Sequence, residues 1–73
     1  MTLTQLKYAI TVAHARSMNE AARRLFISQP SLSSAIKELE TEIGLDLFRR
    51  TNRGVSVTPE GEEFLGYRSE ERR

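Results

Sequence analysis

The residues best equipped for chemistry lie in one short run, Ser28-Gln29-Pro30-Ser31-Leu32-Ser33-Ser34, with Lys37 one turn further on. A carboxamide carries both donors and acceptors, each hydroxyl can do either, and an ammonium only donates. That set forms directional hydrogen bonds but lacks a nucleophile paired with a base. No Cys is present and His14 is the single histidine, so thiolate and mixed Cys/His metal sites are excluded. Neither a Gly-x-Ser-x-Gly elbow nor a phosphate-binding loop appears. The chemistry on offer is recognition, and no cofactor is expected.

Set out at about 100° per residue, residues 28–43 place Leu32, Ala35, Ile36, Leu39 and Ile43 on one side of a helix. Pro30, Ser33, Ser34, Lys37 and Thr41 fall opposite, with Gln29 at the edge of the N-terminal end. Glu38, Glu40 and Glu42 all lie in the C-terminal half. A helix whose leading half is free of acids and fringed by hydroxyls suits insertion into a nucleic-acid groove, N-terminus first. Gln29 can then pair with adenine N6 and N7. Ser31, Ser33 and Ser34 can donate or accept at base edges, and Pro30 can face a thymine methyl. Lys37 reaches guanine or a phosphate. Asn19 and Arg23 are candidates for phosphate contacts, which orient without specifying sequence. Arg53 is placed to enter a minor groove.

Ordinary readings stand beside these. Ser28 reads first as a helix cap, and Ser31 can cap and contact at once. Arg23, Arg24 and Arg49 can serve simply as solvated surface, and Arg50 can be an ion-pair partner within the fold. His14, among alanines, reads as a packed or half-exposed ring.

The elements that must carry these residues are legible from caps and periodicity. Thr2 and Gln5 have capping-box spacing, and Leu3, Leu6, Ala9, Ile10 and Ala13 continue a helix to about residue 15. Ser17 and Glu20 repeat the box before a short helix with Ala21, Ala22 and Leu25 on its buried side. Phe26 and Ile27 mark the joint. Ser28 caps a third helix that tolerates Pro30 in its first turn and stops at Gly44. Leu47-Phe48-Arg49-Arg50 and Val55-Ser56-Val57 flank the turn-forming run Thr51-Asn52-Arg53-Gly54, which predicts a β-hairpin. Thr58-Pro59-Glu60 then opens a fourth helix, with Phe64 and Leu65 as its apolar contacts.

Helix, helix, helix, hairpin, helix is a mainly α winged helix-turn-helix. The helix-turn-helix is expected at about 18–37 and the wing at about 46–57, within a domain of residues 1–58. Residues 59–73 read as the start of a linker or dimerisation helix whose polar end, from Tyr67, frays or is cut short.

The 73 residues allow one small core, and 38% hydrophobic with 29% charged residues is globular composition. A formal net charge of +1 conceals segregation. Residues 1–37 hold five bases against Glu20 alone. Residues 38–46 hold four acids and no base, residues 47–58 three arginines and no acid, and residues 59–73 five acids and three bases. Two cationic blocks imply one face meant for a polyanion. No apolar run has the length of a signal peptide or a membrane span, so a cytoplasmic location without membrane contact is expected.

The run from Ala21 through Ser33 resembles the signature of LysR-type transcriptional regulators. So do Ile36, Leu39-Glu40, Ile43-Gly44, Leu47-Phe48-Arg49-Arg50-Thr51 and Val57-Thr58-Pro59-Glu60-Gly61. The resemblance covers residues 3 to about 66. It implies the N-terminal domain of a bacterial regulator that binds double-stranded DNA as a homodimer or higher oligomer. It maps base contacts onto Gln29, Pro30, Ser31, Ser33 and Ser34, and the wing contact onto Arg53. Many members have arginine where this chain has Ser34, so one strong contact is missing or taken over by Lys37. Members also continue into a dimerising helix and an effector-binding domain. The chain is therefore expected to be an isolated DNA-binding domain or a fragment, weakly dimeric or monomeric, with any small-molecule effector acting through the missing part. The rival reading is a winged helix that binds protein or RNA; such a module would more naturally expose aromatics on its third helix than serine and lysine.

Overall fold

The structure is a computed structural model that describes residues 1–66. The expectation for the tail from Tyr67 lies outside the described residues. Helices α1 (Leu3–Ala15), α2 (Met18–Leu25) and α3 (Gln29–Ile43) are followed by strands β1 (Phe48–Thr51) and β2 (Gly54–Val57) and by α4 (Pro59–Leu65). The winged helix-turn-helix order expected from the sequence is the order observed.

Local chemistry starts and stops each helix. Thr2 accepts from the Gln5 backbone N–H while the Gln5 side chain accepts from Thr2 N, the full capping box. Only half of the second box forms. Ser17 accepts from Glu20 N, but the Glu20 carboxylate turns to Arg24 at 3.2 Å and Arg23 at 3.5 Å. The two arginines in the last turn of α2 thus take the place of the Ser17 backbone N–H as partners of this carboxylate. Helix α3 begins at the Ser28 cap with Pro30 in its first turn and ends at Gly44 with φ +74°. Helix α4 begins at Thr58, whose hydroxyl accepts from Gly61 N at 2.9 Å.

The core lies where α1, α2 and α3 cross. Ala9 and Val12 of α1, Met18, Ala21 and Ala22 of α2, and Leu32, Ile36 and Leu39 of α3 are buried together with Leu47 and Val55 of the wing region. The paired alanines of α2 let helix axes approach, as the sequence implied. The inward stripe of α1 differs from the expected one: Ala9, Val12 and Ala13 are buried, whereas Leu3 is 84% and Ile10 43% exposed. The start of α1 lies beside α3, where Gln5 meets Glu38 and the N-terminal amine meets Glu42, and Leu3 faces away from that contact into solvent. Leu25, Ala35, Ile43, Phe64 and Leu65 are half-buried at the margin.

The hairpin is antiparallel with Phe48 opposite Val57 and Thr51 opposite Gly54, leaving Asn52 and Arg53 as its two-residue tip. Hydrogen bonds to its backbone and base fix it to the helices. Glu40 Oε2 accepts from the backbone N–H of Leu47 at 2.8 Å and of Phe48 at 3.1 Å. Val55 N donates to the carbonyl of Arg16, just past the end of α1, at 3.0 Å. Thr58 donates from its N–H to Leu47 O at 3.0 Å and from its hydroxyl to the carbonyls of Asp46 and Leu47.

Candidate nucleic-acid interface

The leading turn of α3 is organised by serine hydroxyls. Ser28 Oγ accepts from Ser31 N at 3.2 Å and donates to Ser31 Oγ at 2.9 Å. Ser28 is thus occupied as a cap, while the hydroxyl proton of Ser31 remains free to point outward. Gln29, Pro30, Ser34 and Lys37 are all exposed along the same side of the helix, opposite buried Leu32, Ile36 and Leu39. Ser33 is half-buried, and its Oγ accepts from Arg50 Nη2 of β1 at 3.0 Å.

Asn19 is exposed on the first turn of α2. Arg23, 78% exposed at its side chain, is weakly held by Glu20 and keeps most of its donors for another partner. Arg24 engages the same carboxylate more closely. At the wing tip, Thr51 Oγ1 accepts from Arg53 N at 3.2 Å and donates to Gly54 O at 3.3 Å, which closes the turn and leaves the Arg53 side chain exposed.

The acids near this surface are engaged within the fold. Glu38 accepts from Gln5 Nε2 at 3.3 Å, Glu42 pairs with the N-terminal amine, and Glu40 holds the wing. All three lie in the C-terminal half of α3, away from its leading turn. What faces outward from the leading half of α3 and from the wing tip is amide, hydroxyl, ammonium and guanidinium; the exposed carboxylates of α3, Glu38 and Glu42, belong to that C-terminal half. Among the described residues no group of His, Cys, Asp and Glu could hold a metal ion, and no helix is long and apolar enough to cross a membrane.

Sequence reasoning missed three features. Arg50, read as an ion-pair candidate, donates instead to Ser33. Glu40, read only as one of three acids kept from phosphates, is the wing's anchor. The signal was present: position 40 lies four residues after buried Ile36, on the flank of the apolar stripe. Phe26, between α2 and α3, adopts φ +60° and is 94% exposed. No periodicity rule would assign a phenylalanine to that conformation.

Residues 3–62 match the family model described as bacterial regulatory helix-turn-helix protein, lysR family. The chain is 52% identical over 64 residues to the HTH-type transcriptional regulator BudR of Klebsiella aerogenes, covering 88% of this chain and 45% of BudR. Among solved structures, the CbnR DBD–DNA complex is similar with a TM-score of 0.87 at 42% identity, over 90% of this chain and 76% of that one. A mutant of Corynebacterium glutamicum OxyR with H2O2 bound is similar with a TM-score of 0.86 at 48% identity, over 89% of this chain and 20% of that one. The chain thus spans less than half of BudR and about a fifth of OxyR.

Proposed function

The chain belongs to the lysR family of bacterial regulatory helix-turn-helix proteins, and on that premise we propose that it binds double-stranded DNA sequence-specifically as the DNA-binding part of a transcriptional regulator. Helix α3 enters the major groove with its N-terminal half, and the wing tip lies in the adjacent minor groove. Gln29, Pro30, Ser31, Ser33 and Ser34 address base edges, with Lys37 on a base or phosphate. Arg53 follows the minor groove, and Asn19 and Arg23 contact the backbone.

The observation that carries this reading is the exposed leading half of α3, bare of acids, on the same protein as an exposed arginine at a rigidly anchored hairpin tip. An α-helix is about 10–12 Å across with its side chains, and the major groove is about 12 Å wide. The CbnR DBD–DNA complex, from a LysR family transcriptional regulator, supports DNA as the ligand. In the longer regulator we place a homodimer, an effector site outside this domain and a cytoplasmic setting.

Electrophoretic shifts across a salt series test the proposal. If one copy makes about five phosphate contacts, log K against log salt falls with a slope of about −4 to −5. Duplex DNA should bind more tightly than double-stranded RNA of the same sequence, whose deep, narrow major groove does not admit a helix. A slope near zero, or preference for the RNA, would overturn it.

A further inference from the structure

We infer that Arg50 is a positioning residue of the base-reading surface, acting through Ser33; the inference rests on the DNA-binding reading above. Side chains alternate faces along a strand. Phe48 faces the core from β1, and Arg50, two residues on, shares its face, whereas Arg49 and Thr51 lie on the other. Arg50 alone of the wing's three arginines therefore reaches back to α3, where Nη2 meets Ser33 Oγ at 3.0 Å across 17 residues of chain.

The direction of that bond has a chemical consequence. A guanidinium has donors and no acceptor, so Ser33 must accept, and one of its lone pairs is filled. A helical serine often gives its proton to the carbonyl four residues earlier, as Thr11 does to Lys7 O at 2.9 Å. Among the described residues, Ser33 makes no such bond. Its proton is steered away from Arg50 and outward from the helix. An unassisted hydroxyl serves as either partner; accepting from the Arg50 cation occupies one of the two lone pairs of Ser33 and polarises its O–H, which favours donation. In the major groove a donor addresses guanine O6 and N7, adenine N7 or thymine O4, and fails against the cytosine amino group. Arg50 thereby biases the sense in which Ser33 reads a base pair, toward donation, without touching the base itself.

A double-mutant cycle tests this on the full chain. Wild type, Arg50→Ala, Ser33→Ala and the double variant are titrated against a duplex carrying the sequence selected from a randomised pool. The same titrations use its single-base-pair substitutions and an unrelated duplex. Arg50→Ala and Ser33→Ala are expected to relax preference at the same base pair. The double variant's affinity loss should fall short of the product of the single losses by at least about threefold. Arg50→Lys, which keeps the charge but withdraws the planar fork, is expected to relax that position while holding the wild-type salt slope, and thermal melting confirms that each variant is folded. An additive cycle overturns the inference. So does a loss uniform over all duplexes with a slope shallower by about 0.9, the mark of a plain phosphate contact. Wild-type protein that binds no duplex at all would fell the DNA-binding reading itself, and this inference with it; wild-type binding with an additive cycle fells only the role of Arg50.

Discussion

Gly61 of α4 lies against the Leu47 carbonyl so closely that a Cβ on Gly61 would meet that oxygen at 2.4 Å and Val57 Cγ1 at 3.0 Å. The same carbonyl accepts from Thr58 N, and the Thr58 hydroxyl accepts from Gly61 N. Thr58 and Gly61 together close the base of the wing onto α4, with a hydroxyl supplying the bonds and a missing side chain supplying the space.

Gly61→Ala should therefore destabilise the domain by about 1–3 kcal/mol, the usual cost of forcing atoms into packed space. In an open helix the same change stabilises by about 0.5–1 kcal/mol. Urea unfolding decides by sign alone, and a gain in stability would refute the close approach.

Glu40→Ala removes the acceptor for two backbone N–H groups at the start of the wing. A loss of about 2–3 kcal/mol is expected, since these bonds involve an ionised acceptor and the donors lie in a half-buried setting. Glu40→Gln keeps an acceptor oxygen and should lose less. Amide hydrogen exchange at Leu47 and Phe48 should accelerate in the alanine variant; unchanged protection there would remove Glu40 from this role.

Phe26→Gly should stabilise the domain by about 0.5–1 kcal/mol. The left-handed conformation disfavours a side chain, and a ring 94% exposed gives up little packing when removed. A lower melting temperature would mean that the ring is packed after all.

Gln29→Ala and Arg53→Ala separate the two grooves. The first should cost about 1–3 kcal/mol on the preferred site and relax base preference there, with little change on unrelated DNA. The second should weaken binding most on sites with A·T-rich flanks, where a narrow minor groove concentrates negative potential. Equal losses on every duplex for Gln29→Ala, or indifference to flank composition for Arg53→Ala, would contradict these assignments.

What the sequence determined by itself was set by neighbours within a turn or two. The caps at Thr2, Ser17, Ser28 and Thr58, the stripe through Leu32, Ile36 and Leu39, the stop at Gly44 and the hairpin around Asn52 and Arg53 all obey short-range rules of hydrogen bonding and periodicity. So does the facing of Gln29, Pro30, Ser34 and Lys37, because one buried stripe fixes the opposite side of a helix. Tertiary structure decided where two elements meet. Val12 rather than Ile10 entered the core because α2 and α3 cover only part of α1. Glu40 became an anchor because its carboxylate met N–H groups seven and eight residues on, at the entrance to the wing, and Ser33 came to accept from Arg50 because the wing folded back on α3. Periodicity gives the direction of a side chain around its own axis; it carries no information about which atom of another element will occupy the space in front of it.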